Sequence, residues 1–318
     1  MQEKILEYLR KEQEYVSGDQ LSHKLGMTRQ ALWKHIQELR DSGYEIVAVP
    51  HLGYRLESAP DRLFAAEIIS GLKTKFIGRK IYYYDTISST MDAAVELGMK
   101  SAVDGALIVA EAQTKGRGRL GRIWFSPKYK GIYLSIILRP KILPNQASLL
   151  TLLAAVSVCE AVKDVCNLDL QIKWPNDLLI KNKKIGGILT ELNAEIDKVN
   201  FIVIGLGLNV NNDLKSLISQ ATSLKEENKE AVSRIKLLQE ILLRTEDNYL
   251  LLQNQGQRIF LEKWRQYSVT LGKRVKVYCQ KKHIEGDAVD IDSDGGLLVR
   301  RDTGVIEKVL SGDVVHCR

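Results

Sequence analysis

The feature that most constrains the fold is a glycine-rich segment that follows a buried strand and is not itself followed by a helix. The apolar run at residues 106–110 predicts the strand, and the glycines at 116–121 then satisfy the spacing G-x-G-x-x-G. A dinucleotide-binding fold needs a helix to begin at such glycines and an acidic residue about 20 positions later. Residues 124–127 (Trp-Phe-Ser-Pro) are instead unsuited to a helix, and the position where the acid is needed holds Lys141. The segment therefore predicts a loop, and a Rossmann domain is excluded.

This loop also concentrates the positive charge of the chain. Lys and Arg number 46 against 39 Asp and Glu, and residues 113–141 carry eight basic side chains without an acidic one. Three of them, Arg117, Arg119 and Arg122, stand among the glycines. Guanidinium groups pair with phosphate or carboxylate oxygens, and glycine lets backbone amides approach a ligand closely. We expect the loop to close over an anion; a solvated basic loop that binds nothing is the alternative.

Composition excludes several other classes of protein. The longest apolar run, residues 149–159, is far shorter than the roughly 18 residues of a membrane helix, and the first residues do not form a secretory signal. The sequence therefore predicts a cytoplasmic protein with no membrane partner. Its four cysteines, Cys159, Cys166, Cys279 and Cys317, form no C-x-x-C pair, and its five histidines lack metal-ligand spacing. We expect neither a structural zinc site nor a disulfide framework.

The first sixty residues have the pattern of a winged helix-turn-helix. A short helix ends at Gly26, Thr28 is a good N-cap for the next helix, and the residues at 45–49 and 53–56 alternate as a two-stranded wing. The start of a recognition helix reads base edges in the major groove. The predicted DNA-binding residues are Thr28, Arg29, Gln30, Trp33 and Lys34. A winged helix used only for protein contacts is the alternative, because this segment has nearly balanced charge.

Two further motifs suggest a ligand pocket in the centre of the chain. Residues 171–180 predict a strand, a proline-fixed turn that presents Asn176 beside Asp177, and a second strand. Lys184 then precedes glycines within a strand, and residues 201–211 repeat glycines in another strand. Strand glycines mark close approach of a ligand or of another backbone. Taken alone, the turn could bond only its own backbone, and the glycines could mark a bulge in a buried sheet.

In combination, these motifs resemble those of the bifunctional biotin protein ligase and biotin-operon repressor family. The resemblance is carried by GRGRLGRIW, KWPNDLLI, KIGGILTE and GLGLNVN, in this order behind a winged helix. It implies an α+β protein with three parts. They are a winged helix-turn-helix at 1–60, a mixed-sheet α/β catalytic domain of the biotin/lipoate ligase type at 61–270, and a small SH3-like β-barrel at 271–318.

The resemblance also implies an activity in two steps. Biotin reacts with ATP, with Mg²⁺ at the phosphates, to give biotinyl-5′-adenylate, and an acceptor lysine then takes the biotinyl group. The implied catalytic residues are Lys184, Arg119 and Asp177, with the role of Asp177 left open. The implied biotin-binding residues are Ser89, Thr90, Gln113, Gly116, Arg117, Lys184, Gly187, Leu189 and Gly205. The implied ATP and adenylate contacts are Arg117, Arg119, Arg122, Trp124, Asn176 and Asn209.

The implied partners are an acceptor protein, operator DNA and a second copy of the chain. The acceptor is the biotin carboxyl-carrier domain of acetyl-CoA carboxylase or pyruvate carboxylase, and the adenylate-bound form is expected to bind DNA as a homodimer. Two other functions remain open. One is a repressor that senses a small acid without catalysis, which has no need for a phosphate loop and an activating lysine. The other is a lipoate or octanoyl ligase, whose pocket needs mainly apolar walls.

Overall fold

The computed structural model of the chain describes residues 1–12, 14–279 and 282–316. The chain divides into two compact units, Met1–Arg62 and Leu63–Arg318. Within the described residues, no helix is long and apolar enough to cross a membrane, and no group of three or more acidic, His or Cys side chains is arranged to hold a metal. Cys159, Cys166 and Cys279 are free thiols, and Cys317 lies outside the described residues.

The first unit is a helix-turn-helix followed by a wing. Its elements are α1 (Gln2–Lys11), α2 (Gly18–Leu25), α3 (Arg29–Asp41), β1 (Glu45–Val49) and β2 (Gly53–Ser58). Gly26 has φ 64°, which glycine adopts without steric cost, and so lets the chain turn after α2. The hydroxyl of Thr28 accepts a hydrogen bond from the Ala31 N–H at 3.2 Å and caps α3. The predicted cap, turn and antiparallel wing are confirmed.

The second unit contains a mixed seven-stranded sheet with helices on both faces. In chain order its elements are α4 (Ala65–Gly71), β3 (Ile81–Tyr84), α5 (Thr90–Met99), β4 (Ala106–Ala110), β5 (Ile132–Leu138), α6 (Ser148–Cys166), β6 (Gln171–Lys173), β7 (Asp177–Ile180), β8 (Lys183–Ala194), β9 (Val199–Leu208), α7 (Leu224–Asn228), α8 (Arg234–Gln255) and α9 (Gln257–Tyr267). The strand order is β3-β4-β5-β9-β8-β7-β6. Only β3 and β4 pair in parallel among these neighbours. This confirms the predicted mixed sheet.

The alternation of side chains along the strands divides the core between the two faces of this sheet. Met91 and Ala94 of α5 pack against Ile108, Ile137 and Phe201 on one face. The larger cluster lies on the other face, where α6 packs against the sheet and α8 and α9 pack against α6. Helix α6 is buried along most of its length, which explains why its sequence is apolar without forming a membrane span.

A buried ion pair connects three distant parts of this unit. Glu111 follows β4, Arg234 begins α8, and both side chains are fully buried with Nη1 and Oε2 2.7 Å apart. The other carboxylate oxygen of Glu111 accepts the N–H of Leu63 at 2.7 Å, and Arg234 also donates to the carbonyl of Gly131 at 3.2 Å. Buried charges need such partners because their desolvation is costly. The pair therefore fixes the first residue of the unit to its sheet and to α8.

A separate antiparallel sheet ends the chain. Its strands are β10 (Arg274–Cys279), β11 (Lys282–Ile291), β12 (Leu297–Arg300), β13 (Ile306–Val309) and β14 (Asp313–His316), in the order β13-β12-β11-β10-β14. Val275 and Val277 of β10 point to the same face and are buried. Ala288 and Ile291 of β11 are also buried, because a register shift between residues 288 and 290 brings Ile291 to that face. The indole N–H of Trp174 donates to the carbonyl of Gly295 at 3.1 Å, which joins this sheet to the turn between β6 and β7. Closure of the five strands into a barrel stays a prediction.

Candidate functional site

A cavity of about 400 Å³, the main cavity, lies between the start of α5, strands β8 and β9, the turn between β6 and β7, and the loop at residues 113–126, called the arginine loop. Its size is that of a small-molecule site. The sequence-predicted residues that line it are Thr90, Gln113, Arg117, Arg119, Arg122, Trp124, Asn176, Asp177, Lys184, Gly187, Leu189 and Gly205. The structure thus brings together residues that are up to 115 positions apart (205 − 90) in the sequence.

The arginine loop is held in shape by its own backbone. The Trp124 N–H donates to the carbonyl of Gly116 at 2.9 Å, and the Gly118 N–H donates to that of Arg122 at 2.7 Å. A Cβ at Gly116 would lie 2.5 Å from the carbonyl oxygen of Trp124, so only glycine fits there. Between these bonds the chain makes only the single turn Arg119–Gly121. The predicted loop without a following helix is confirmed.

The three arginines of this loop have different partners. Arg117 forms ion pairs with Asp92 at 2.7 Å and with Glu191 at 3.0 Å. Arg122 pairs with Asp313 at the start of β14. Because these side chains are partly exposed, such pairs are weak and exchangeable for a more highly charged ligand.

Arg119 is the most enclosed of the three. Its guanidinium donates to Asn176 Oδ1 at 3.0 Å, to Ser311 Oγ at 3.1 Å and to the carbonyl of Gly312 at 3.3 Å. Burial lowers the pKa of Arg119 from its usual value, and the carboxylates of Asp313 and Asp177 oppose that shift. An arginine stays charged under these conditions. It therefore places a positive charge at the junction of the loop, the β6–β7 turn and the C-terminal sheet.

The β6–β7 turn supplies a second group of polar side chains. Asn176 donates from Nδ2 to the carbonyl of Ile188 at 2.8 Å, which fixes its amide oxygen toward Arg119. Asp177 Oδ1 accepts from Lys184 Nζ at 2.5 Å. The predicted turn therefore does more than bond its own backbone, because it joins β8 and the arginine loop.

Strand glycines create the space in which Trp124 lies. A Cβ at Gly207 would be 2.5 Å from Trp124 Cε2, and a Cβ at Gly187 would be 3.7 Å from the same ring. The pairing of β9 is regular on both sides at Gly205 and Gly207, so these glycines mark close approach of a side chain rather than a bulge. Gly187 also lies near a register shift in the pairing of β8 with β7, so both descriptions apply to it. The indole N–H of Trp124 is buried and has no hydrogen-bond partner among the described residues.

A neutral polar network forms the opposite end of the main cavity. Gln113 Oε1 accepts from the Thr90 N–H at 2.8 Å and from the Thr90 hydroxyl at 3.1 Å, while its Nε2 donates to Ser126 Oγ at 3.0 Å. The hydroxyl of Ser135 in turn donates to Thr90 Oγ1 at 3.0 Å. Such donors and acceptors can form hydrogen bonds with both the N–H and the C=O groups of a small amide-like ligand.

Three sequence-predicted residues do not line the main cavity in the structure. Ser89 is fully buried and caps α5 by accepting from the Asp92 N–H at 3.4 Å. Gly116 lies behind the loop, against Trp124. The amide of Asn209 is buried and donates to the carbonyl of Thr222 at 3.1 Å, where it holds the segment between β9 and α7. Their contacts with a ligand stay predictions.

The structure adds residues that the sequence reasoning did not assign. Met91 lies against Gly205, and Lys173 and Asp313 line the cavity beside Asp177. Burial lowers the pKa of Lys173, opposed by the charge of Asp177 and reinforced by Lys184. The available signal was the predicted hairpin, because Lys173 at the end of its first strand lies directly across from Asp177 at the start of the second. Asp313 had no such local signal.

The predicted DNA-binding residues lie on the exposed part of α3. All of Thr28, Arg29, Gln30, Trp33 and Lys34 are exposed, and Trp33 exposes 57% of its surface. Arg29 pairs with Asp19 of α2, and both side chains are about two-thirds exposed. An exposed pair of this kind contributes little stability and leaves the arginine free to exchange partners.

Family models match three parts of the chain. The model of the biotin/lipoate A/B protein ligase family matches residues 83–209, a helix-turn-helix domain model matches residues 1–55, and the model of the biotin protein ligase C terminal domain matches residues 270–317.

Curated relatives match nearly the full length. The bifunctional ligase/repressor BirA of Bacillus subtilis is 41% identical over 305 residues, which cover 95% of this chain and 94% of that protein. BirA of Escherichia coli is 31% identical over 303 residues, covering 95% and 92%. Among solved structures, the biotin protein ligase from Aquifex aeolicus in complex with biotin and ATP has a TM-score of 0.65 at 30% identity, and the match covers 76% of this chain and 99% of that one.

Proposed function

The chain belongs to the bifunctional ligase/repressor family of biotin protein ligases, and from this premise we propose that it adenylates biotin, transfers it to carrier proteins and represses transcription. The observation that carries the ligase proposal is the main cavity itself. It joins a neutral polar end, at Thr90 and Gln113, to a cationic end at Lys184, Arg119 and Arg122. Biotinyl-5′-adenylate has the matching polarity, because a neutral ureido ring stands at one end and a phosphate at the other.

The first step joins two anions, and the cations of the site reduce their repulsion. A carboxylate oxygen of biotin bonds to the α-phosphorus of ATP, the bond from that phosphorus to the bridging oxygen breaks, and pyrophosphate leaves. Lys184, Arg117 and Arg122 would stabilise the charge that develops at phosphorus. Their present partners Asp177, Asp92 and Asp313 are partly exposed, so the exchange for phosphate oxygens is inexpensive.

The carboxylates at the cationic end fit a magnesium ion that arrives with ATP. Magnesium is usually held by one or two carboxylates together with substrate phosphates, rather than by a cage of protein ligands. Asp177 and Asp313 line the main cavity and would hold it there. When bound, the ion would neutralise phosphate charge and polarise the phosphoryl group.

Biotin would bind at the other end of the cavity. The Thr90–Gln113 network supplies donors and acceptors for the ureido ring, and Met91 and Leu189 supply apolar walls for the rest of the molecule. Trp124 would cover the adenine ring, since its indole already lies on the glycines of β8 and β9. The other predicted residues would act indirectly, by fixing the elements that line the cavity. They are Ser89 at the start of α5, Gly116 against Trp124, and Asn209 after β9.

The second step transfers biotin to an acceptor lysine. The lysine nitrogen bonds to the acyl carbon of the adenylate, the bond from this carbon to the phosphate oxygen breaks, and AMP leaves with that electron pair while the nitrogen loses a proton to solvent. The proposed acceptor is the biotin carboxyl-carrier domain of acetyl-CoA carboxylase or pyruvate carboxylase. Arg119 would keep the adenylate enclosed until then, because water would otherwise hydrolyse it.

The test of the ligase proposal follows adenylate and acceptor mass in the presence of ATP, Mg²⁺, biotin and a carboxyl-carrier domain, with lipoate as a parallel substrate. Biotinylation of one acceptor lysine is the expected result. Preferred use of lipoate would identify a lipoate ligase instead, and biotin binding with neither product would identify a non-catalytic sensor. Arg119→Gly should release adenylate early, whereas Lys184→Ala should form it slowly without such leakage.

The repressor part of the proposal couples the adenylate to DNA binding. Ordering of the arginine loop around the adenylate would favour a homodimer, and a dimer presents two copies of α3 to the half-sites of an operator. Sedimentation with biotin and ATP should show a larger dimer fraction than without them. Equal fractions would contradict this coupling, because a ligand without preference between two states shifts neither. The C-terminal sheet, as an SH3-like barrel, would complete the nucleotide end of the site.

A further inference from the structure

A second cavity adjoins the main cavity along β8. Its volume is about 240 Å³, and its walls come from the start of α6, from β8 and from the turns of the C-terminal sheet. The residues that line only this cavity are Ala147, Ser148, Thr151, Leu152, Thr190, Leu192, Gly295, Leu310 and Ser311. Thr151 of α6 donates to Thr190 of β8 at 2.8 Å, which places the helix directly against the strand.

The two cavities share one wall. Trp174, Pro175, Asn176, Ile188, Leu189 and Arg119 line both of them. Along β8, Gly187 lines only the main cavity, Ile188 and Leu189 line both, and Thr190 and Leu192 line only the second cavity. The cavities therefore meet at residues 188–189 of β8 and at the hydrogen bond between Arg119 and Asn176.

We propose that the second cavity is the entrance through which the acceptor lysine reaches the adenylate. This inference rests on the proposed ligase function. After the first step the adenylate fills the main cavity beneath the arginine loop, and opening that loop would admit water. A nucleophile that arrives through the second cavity meets the site at Asn176, beside the catalytic Lys184–Asp177 pair. Only the Arg119 side chain has to move, while the backbone bonds that hold the arginine loop stay formed.

The lining of the second cavity suits a lysine side chain. Leu152, Leu192 and Leu310 offer apolar surface for its four-carbon stem, and the amide of Asn176 stands where the second cavity meets the main cavity. Removal of a lysine from water favours its neutral form, which is the nucleophile that the acyl transfer needs. Asn176 Oδ1 accepts an N–H of Arg119 in this structure and would accept one from the arriving amine in its place.

The contacts of Arg119 explain how the entrance stays shut without an acceptor. Its guanidinium spans from Asn176 to Ser311 and to the carbonyl of Gly312, and so connects the catalytic sheet to the turn between β13 and β14. An acceptor domain that docks on this turn would displace these bonds. The same contact would then identify the acceptor and open the path for its lysine.

The experiment fills the second cavity without touching the main one. Thr151→Phe places a ring between α6 and β8, and Thr151→Val removes the hydrogen bond to Thr190 without filling the space. Leu310→Trp narrows the mouth at a residue that is 61% exposed, where the fold tolerates a larger side chain. Val305→Trp is the matched control, because Val305 is a similarly exposed residue of the C-terminal sheet that lines neither cavity.

Two rates are measured for each variant in the full chain. Biotin-dependent exchange of pyrophosphate into ATP reports the first step, and transfer of preformed adenylate to a carboxyl-carrier domain reports the second. We expect Thr151→Phe and Leu310→Trp to keep exchange within about twofold of the original chain and to slow transfer at least about tenfold. Thr151→Val should transfer faster than Thr151→Phe, and Val305→Trp should match the original chain in both rates.

The outcomes separate this inference from the proposed function. If Thr151→Phe and Leu310→Trp both keep normal exchange and normal transfer, the proposal that the second cavity is the acceptor entrance is overturned. The proposed ligase function would still stand. An equal loss of exchange and transfer in a folded Leu310→Trp would also overturn it, since the second cavity would then serve the first step. Absence of biotin-dependent exchange in the original chain would instead refute the ligase function itself.

Discussion

Substitution of Gly207 by alanine tests whether the position of the Trp124 indole is needed for catalysis. The added Cβ would lie 2.5 Å from Trp124 Cε2 and 2.9 Å from its Cδ1, whereas carbon atoms in contact are about 3.5–4.0 Å apart. The indole must therefore move by about 1 Å, because Gly207 is paired on both sides, with Tyr133 of β5 and Gly187 of β8, and its backbone has little freedom. The fold should survive, since one edge of Trp124 is open to solvent.

The size of the effect follows from what the indole touches. Lys184 Nζ lies 5.7 Å from the centre of the Trp124 ring, and the loss of such a contact costs about 0.5–1 kcal/mol. Misplacement of a binding group by about 1 Å can cost up to about 100-fold in rate. We expect Gly207→Ala to lower kcat/KM for adenylate formation by about 10- to 100-fold, with a melting temperature within a few degrees of the original chain.

The assay is biotin-dependent pyrophosphate exchange, with Gly118→Ala as the control. Gly118 lies in the arginine loop and lines the same cavity, yet a Cβ there would meet its nearest atom at an ordinary 3.4 Å. This variant should react at close to the original rate. Full activity of Gly207→Ala would show that Trp124 has no fixed role in the first step. An equal loss in Gly118→Ala would mean that the loop tolerates no added methyl group at all.

Three other expectations concern stability and DNA binding. Arg234→Met should lower the free energy of unfolding by about 3–5 kcal/mol in denaturant titrations, because it removes an opposite charge from the fully buried carboxylate of Glu111. A loss below about 1 kcal/mol would contradict this account. Burial, with the charge of Lys173, lowers the pKa of His316 to about 4, while an unfolded histidine titrates near 6.5. Because His316 is only partly buried and solvent screens its charge, about 1–2 kcal/mol of stability should be present above pH 6.5 and be lost as the pH falls toward 4. His316→Gln should flatten this slope in chemical denaturation across that range. Gln30→Ala should weaken operator binding in a gel-shift titration by about 1–3 kcal/mol and leave adenylate formation unchanged, whereas equal affinity would exclude base contact by this side chain.

Local sequence chemistry predicted those parts of the fold that local interactions decide. Thr28 caps α3 because its hydroxyl can reach an N–H three residues on, and Gly26 turns the chain because it accepts positive φ. The strands at 106–110 and 171–180 were likewise visible as apolar runs interrupted by turn residues. These features depend on a few neighbours, so a single sequence is sufficient to find them.

Features that depend on distant residues were less visible. Arg119 was identified as a ligand-facing arginine, but its partners Ser311 and Gly312 are 192 and 193 positions away. For the same reason, the sequence did not predict Asp313 as a cavity residue. Its position depends on the pairing of β14 with β10, which is a property of the whole C-terminal sheet. For Asn209 the motif suggested contact with a ligand. In the structure its amide instead donates a hydrogen bond to the carbonyl of Thr222, in the segment that follows β9.

The contact between Glu111 and the Leu63 N–H limits where the chain can be shortened. Residue 63 opens the second unit, and its backbone amide satisfies one oxygen of a carboxylate that water does not reach. A fragment that begins at or before residue 62 keeps this peptide N–H. A fragment that begins only a few residues later removes a donor from a fully buried charge pair, and it would lose stability although every cavity-lining residue is present. A single-function enzyme made by deleting the winged helix must therefore keep the peptide bond between Arg62 and Leu63.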